Sequence, residues 1–527
     1  MHRPRTLSGA ALLLCGLLVM GGAAVVAVPG AEAASATLSV SPAAGPPTAK
    51  VHVTGGGFTA GETLDVSFDS TLLATTAAGS GGSLAADVVV PKTATPGSHT
   101  VSATGRASGS TASAGFVVRT NWTQFRFSAN RAGVQPFENV LNQSVVPMLQ
   151  VAWADRLGNT VDFSSPAVVN GVAYIGSSDG VLWAYSATGC GSTASLCSNP
   201  LWRSTNLAQI MDSPTVSGGF VYVGSQTSAS NASGKLDVFR ADGCNQPVCP
   251  PLWQGLAGSQ SILYSSPAVS GGSVYVAAFD GKLYAFPSAG CGQPTCAPTW
   301  TGQMGGSSES SPTVAGGLVY VAADDGKLYA FPAGGCGQPT CPPTWTGALG
   351  GPAFASSPAV VGTSVYVASD HALLAFPRSC GAPTCAPLWR GVHGADFFYG
   401  SPAVHAGRVF IGMENGLGVF NSAGCGQPTC APQHLYFGSG AQAAVESSPT
   451  IANGVVYVGR NTGQVLAWRE QPCAQLQCSE IWSGFTRDPI VSSSPTVVDG
   501  RLYVGSADSL AGSRIGRLYV FTVNGVH

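Results

Sequence analysis

The feature that most constrains this chain is an internal period. A Ser-Pro dipeptide followed by Ala or Thr and then Val or Ile recurs eight times, with its prolines at Pro166, Pro214, Pro267, Pro312, Pro358, Pro402, Pro449 and Pro495, spaced 44 to 53 residues apart. Each copy continues into an apolar segment such as VAYIGS or SVYVAA, then a second such as VLWAYS or KLYAFP. Asp179-Gly180, Asp280-Gly281, Asp325-Gly326 and Asn415-Gly416 sit between the two, as tight hairpin turns require. Short strands at such a period mean a propeller or a solenoid of sheets. An aromatic closes seven copies: Trp202, Trp253, Trp300, Trp345, Trp389, Tyr436 and Trp482. The eighth lies at the front, as Trp153 in LQVAWADR (149–156), so an N-terminal strand can complete the last unit. A ring needs that arrangement and an open solenoid does not. The expectation is an all-β chain whose residues 149–527 form an eight-bladed β-propeller closed by an N-terminal strand.

Residues 1–35 read as a signal peptide: a basic start with Arg3 and Arg5, an apolar run, and Ala31-Glu32-Ala33 in cleavage register. Cys15 lies in mid-run without the setting of a lipoprotein site, and retention of the segment as an anchor is the alternative. Removing 1–33 leaves 21 basic and 24 acidic residues, a net charge near −3. With charged residues at 9% and no run of Lys or Arg, nucleic acid is not an expected partner, nor is stable membrane insertion after cleavage. The fourteen cysteines after Cys15 form seven local pairs: Cys190-Cys197, Cys244-Cys249, Cys291-Cys296, Cys336-Cys341, Cys380-Cys385, Cys425-Cys430 and Cys473-Cys478. In an exported chain these read as disulfides. Zinc is the rival reading, but each pair supplies two thiolates where a structural site needs four ligands. A bridge across so short a loop looks like a local clasp that cannot tie blades together.

Residues 36–118 lack the period. TLSVSPAAGPPTAKVHVTGGGFTAGETLDVSFDS and GSHTVSATG suggest about seven alternating strands with Gly/Pro turns. This resembles a bacterial Ig-like β-sandwich, read here as a spacer. Residues 119–148 are a linker or lead-in.

Blocks such as SSPAVVNGVAYIGSSDGVLWAYSATG resemble the quinoprotein-type repeat, the β-propellers named for pyrroloquinoline quinone (PQQ) enzymes. The resemblance covers about 149–522, and NWTQFRFSANRAGVQPFENVL (121–141) is similar to that family's lead-in. Two departures stand out. The family's Asp is Pro287, Pro332 or Ser186 here, and a Cys loop precedes the Trp. Quinone-binding members typically carry adjacent cysteines, a calcium held by Glu, Asn and Asp, and a catalytic Asp. This chain has no Cys-Cys dipeptide, so none of those residues is carried over. No cofactor is expected, with PQQ plus calcium as the alternative.

Function should lie where the repeats differ. In a propeller the residue two before each Ser-Pro serine samples the channel rim: Phe163, Met211, Tyr264, Glu309, Ala355, Tyr399, Glu446 and Ser492. Three aromatics and two carboxylates there could stack a ring and hydrogen-bond its edges. Asp370, His371, His393 and Asp396 have metal-ligand chemistry but no tight ligand spacing, so no metal is assigned. No nucleophile elbow appears, and no catalytic residue is assigned. The reading is a secreted, non-catalytic binding or scaffold propeller that recognises an extracellular polysaccharide or protein through its variable face. The alternative is an extracellular enzyme with its site at the central channel, either a PQQ-dependent dehydrogenase or a glycan-cleaving enzyme using Glu309 and Glu446. A purely structural envelope protein is the third possibility.

Overall fold

The computed structural model describes residues 35–526, except 191–196, 198, 227–232, 259, 263, 354, 439–443, 472 and 508–514. The segment read as a signal peptide therefore lies outside the described residues. The described residues are all-β apart from one three-residue 3-10 turn, Val146–Met148.

Residues 37–118 form two sheets, one of three strands and one of five, packed around a core that includes Val53, Leu64, Val66, Val101 and Phe116. Alternation along Thr63–Phe68 buries Leu64, Val66 and Phe68 and turns Thr63 outward. Eight strands make up this unit where the sequence suggested about seven.

Eight further sheets follow, each built around four antiparallel strands. In the first they are Ala167–Val169, Val172–Ser177, Val181–Ser186 and Trp202–Ser204. Gly180 in its hairpin turn has φ +80°, a conformation that glycine adopts without a Cβ penalty. In the last sheet the fourth strand is Leu149–Arg156, which runs antiparallel to Gly516–Val523. The N-terminal strand thus joins the two ends of the repeat array, as Trp153 suggested.

The Ser-Pro serines explain the arrangement. The backbone N–H of Ser165 donates to the Ser213 hydroxyl, and Ser213, Ser266, Ser311, Ser357, Ser401 and Ser448 each donate to the next serine, at 2.8–3.0 Å. Ser494 then donates to Ser165. Eight donors and eight acceptors close a cycle around the channel, which gives these serines a structural role. All eight docking aromatics, from Trp153 to Trp482, are buried.

The cysteine loops correct one expectation. All seven pairs are disulfides, but they are not merely local clasps. The short strand carrying the second cysteine pairs in parallel with the fourth strand of the preceding sheet. Thus Thr340–Cys341 lies against Thr301–Gly302, and Thr384–Cys385 against Thr346–Gly347. In six cases it is a fifth strand of that sheet. In the first loop the Cys197 N–H donates to Ala154 O of the closing strand. The buried second cysteine also packs with the neighbour's Trp, as Cys341 does with Trp300. Each loop is therefore a strap across a blade junction. The count missed this because a short loop-closing bond says nothing about what the loop's other edge pairs with.

Candidate functional site: a blind central cavity

The lead-in segment decides the shape of the channel. Between residues 121 and 135 it passes the eight inner strands in order. Trp122 exchanges both backbone hydrogen bonds with Val168. Val216, Val314, Val360, Val404 and Ile451 donate their N–H groups to the carbonyls of Thr123, Ala129, Asn130, Ala132 and Gly133. Val269 donates to the Gln124 side chain, and Gln135 donates to Val497 O. Two arginines reach inward from this coil and are almost fully buried, at 1% and 0% exposure. Arg126 donates to Pro402 O and Pro449 O. Arg131 donates to Pro312 O at 2.7 Å, and to Ser266 O and Phe125 O at 2.9 Å. The guanidiniums thus supply donors to the carbonyls of Pro312, Pro402 and Pro449, while threonine hydroxyls donate to those of Pro166, Pro267, Pro358 and Pro495. Burial pulls both arginines down to about 9, which still leaves them protonated at neutral pH. The lead-in is thus a stopper in one end of the channel.

Above the stopper lies a cavity of about 230 Å³. Phe125 of the lead-in lines it, together with Phe163, Tyr264, Glu309, Ala355, Tyr399, Glu446 and Ser492 and serine hydroxyls of the ring. The structure thus brings together seven of the eight rim positions named from the sequence. Met211 is the exception: the rings of Phe163 and Tyr264 meet at 4.2 Å across its blade, and Met211 instead accepts a hydrogen bond from Gln209. Phe125 was missed, because a lead-in residue carries no repeat signal. Tyr264 and Ala355 hold left-handed backbone angles, φ 66° and 48°, so strain is stored at this rim.

Burial raises both rim carboxyls above their usual range. Asp324 pushes Glu309 further, while a hydrogen bond from Asn461 partly offsets the shift at Glu446. Among the described residues Glu309 has no hydrogen-bond or ion-pair partner. The other group named from the sequence is spent in pairs: His393 Nδ1 meets Asp396 at 2.9 Å, and Asp370 accepts from the His371 N–H. Among the described residues no three His, Cys, Asp or Glu side chains converge as metal ligands do.

A family model described as "Outer membrane protein assembly factor BamB" matches residues 251–335. Among solved structures, the quinohemoprotein alcohol dehydrogenase ADHIIG from Pseudomonas putida HK5 is similar at 12% identity and a TM-score of 0.52, covering 77% of this chain and 81% of its own. A europium-containing methanol dehydrogenase reaches 11% and 0.52, covering 76% of this chain and 98% of its own. BamB from Moraxella catarrhalis reaches 18% and 0.49, covering 71% and 97%. No curated protein matches the sequence. The fold is a PQQ-like repeat β-propeller. At these identities the likeness extends to the fold alone.

The cavity of this propeller does not suit PQQ. The quinone is a tricarboxylate, whereas the lining offers two carboxylates and no Lys, Arg or His. An anion entering beside Glu309 and Glu446 meets like charge in a partly desolvated site. The buried arginines lie outside the lining, with terminal guanidinium nitrogens turned to backbone carbonyls. Seven disulfides are characteristic of an oxidising compartment, extracellular or periplasmic. Among the described residues no helix is long and apolar enough to cross a membrane.

Proposed function

We propose that this chain is an exported, non-catalytic binding protein: an Ig-like spacer over 36–118, a lead-in over 119–148, and an eight-bladed propeller over 149–527, released by removal of a signal peptide over 1–35. Its central pocket takes one end group of an extracellular polymer, with polysaccharide favoured over protein. The observation that carries this reading is the cavity itself, closed below by Phe125 and walled by aromatic rings, hydroxyls and two carboxyls. A blind pocket of about 230 Å³ has room for a single small ring or end group and none for a threaded chain. Aromatic faces supply stacking area, and serine and glutamate oxygens supply hydrogen-bond acceptors for a ligand's edge.

Glycan cleavage by Glu309 and Glu446 fits less well. Such a pair works when its environments push the two pKa values apart, one acid protonated and its partner ionised. Here burial moves both carboxyls in the same direction.

The test is thermal unfolding of the oxidised mature protein with soluble mono- and oligosaccharides of bacterial surfaces, and separately with PQQ plus calcium under a dye-linked oxidation assay. Saturable stabilisation by a saccharide without its hydrolysis is the expected result. Stabilisation by PQQ with turnover, or release of reducing ends from a glycan, would overturn the non-catalytic reading.

A further inference from the structure

Four rings face the central cavity: Phe125 from the stopper and Phe163, Tyr264 and Tyr399 from the rim. Glu309 and Glu446 stand three blades apart among them, and no basic side chain joins the lining. Resting on the binding role proposed above, we infer that the group this pocket takes is an organic ammonium ion, presented by an amino sugar or by a lysine-type side chain.

The chemistry of the lining supports a cation over a neutral sugar. Ring faces carry negative quadrupole density and attract ammonium groups, the more so when water is displaced. Glu309 is half-buried and partnerless among the described residues, and Glu446 is met only by the neutral amide of Asn461. Sugar hydroxyls would hydrogen-bond these carboxylates but leave their charge unmatched. An ammonium ion both donates and neutralises.

The surrounding field has the same sign. Burial raises the phenols of Tyr264 and Tyr399, and nearby carboxylates add to it: Glu309 and Asp162 at Tyr264, and Glu414, Glu446 and Asp396 at Tyr399. Asp324 acts on Glu309. Of these carboxylates, Asp396 faces His393. The opposing charges are Arg126 and Arg131 of the stopper, the guanidinium carbon of Arg131 lying 5.3 Å from the Phe125 ring centroid. Both sit outside the lining and donate to backbone carbonyls of the ring and the lead-in, so they close the floor without competing for the rim.

Choline and 3,3-dimethylbutanol, which have the same shape and differ in charge, test this on the unmutated oxidised protein by calorimetry. Choline should bind saturably and its neutral isostere should not. Because choline does not titrate, any pH dependence belongs to the protein. Its affinity should rise with pH as Glu309 and Glu446 ionise, above the ordinary glutamate range near pH 4.5. Glu309→Gln and Glu446→Gln should each weaken choline by about tenfold through the lost charge contact, since a quaternary ammonium has no N–H to donate. Glucosamine oligomers, their N-acetylated counterparts and a lysine amide then separate the sources, since acetylation removes the charge and keeps the sugar. Equal binding of choline and its isostere, or tighter binding of the acetylated oligomer, would overturn the ammonium inference and leave a saccharide pocket standing. Folded protein that binds none of these probes would overturn the ammonium inference, and the pocket reading would then rest on the saccharide screen alone.

Discussion

Breaking one disulfide should loosen the blade next door. In Cys336→Ser the exposed half of the fourth bridge is removed, while Cys341 keeps its buried place beside Trp300. The cross-link goes and the packing stays. A loop of this length loses roughly 2 kcal/mol of unfolded-state constraint by the chain-entropy argument. Pro339, Pro342 and Pro343 stiffen the reduced loop and make that an upper value. The strap is held to the preceding sheet by the Thr301 N–H, which donates to Pro339 O at 2.8 Å. If the strap opens as a unit, the lost constraint appears as easier local opening at that amide. Exchange of Thr301 should then accelerate by up to roughly 30-fold, since every 1.4 kcal/mol is a factor of ten. Hydrogen exchange followed on peptides spanning 300–303 reads this directly, with strands 318–323 and 327–332 of the mutated blade as controls. Faster exchange in 337–341 with Thr301 unchanged would refute the inter-blade role and restore the local clasp.

Two other perturbations have signs that follow from the structure. Arg131→Met leaves the carbonyls of Pro312, Ser266 and Phe125 without their donor, and should lower stability by about 3–5 kcal/mol, read as an earlier denaturant midpoint; an unchanged midpoint would show that the stopper is dispensable. Asp212 occupies a position where six other blades place a serine whose hydroxyl accepts from the second strand, as Ser265 does from Ala277. Its Oδ1 is buried without a partner, and burial raises its pKa well above 3.8. A carboxyl whose folded pKa is raised destabilises the fold increasingly as pH rises above the unfolded value. Asp212→Ser should therefore stabilise the protein at pH 7 by at least about 1 kcal/mol, and the gain should shrink as pH falls toward 4. A gain independent of pH would mean that Asp212 is not the titrating cause.

The ring was legible because its parts repeat. Eight Ser-Pro dipeptides, eight docking aromatics and a displaced Trp153 each report the same geometry, and repetition averages out local accidents. The rim was legible for the same reason, since counting two residues back from each serine found seven of the eight positions that line the cavity. What the sequence hid was single-copy or relational. Phe125, Arg126 and Arg131 occur once, in a stretch without period, and the role of the two arginines depends on carbonyls more than a hundred residues away. Met211 fell out because a contact between the rings of Phe163 and Tyr264 spans its blade, which is a pairwise event that no single position predicts.

The two ends of the channel obey opposite demands, and this explains why the variable residues lie where they do. At the stoppered end one 15-residue coil must satisfy eight inner strands in succession, so each blade must offer a backbone donor or acceptor at the same height, seven through an N–H and the last through the Val497 carbonyl. Any blade that deviated would leave a buried polar group unpaired, at about 1–3 kcal/mol. At the open end the rim residues bond to no common partner, and Phe, Tyr, Glu, Ala and Ser are all compatible with the serine cycle beneath them. The stopper therefore does more than seal the channel. By holding one end to backbone pairing and closing it, it leaves the rim as the place on the axis where side chains can diverge toward a ligand, and it turns a through-channel into a pocket with a floor.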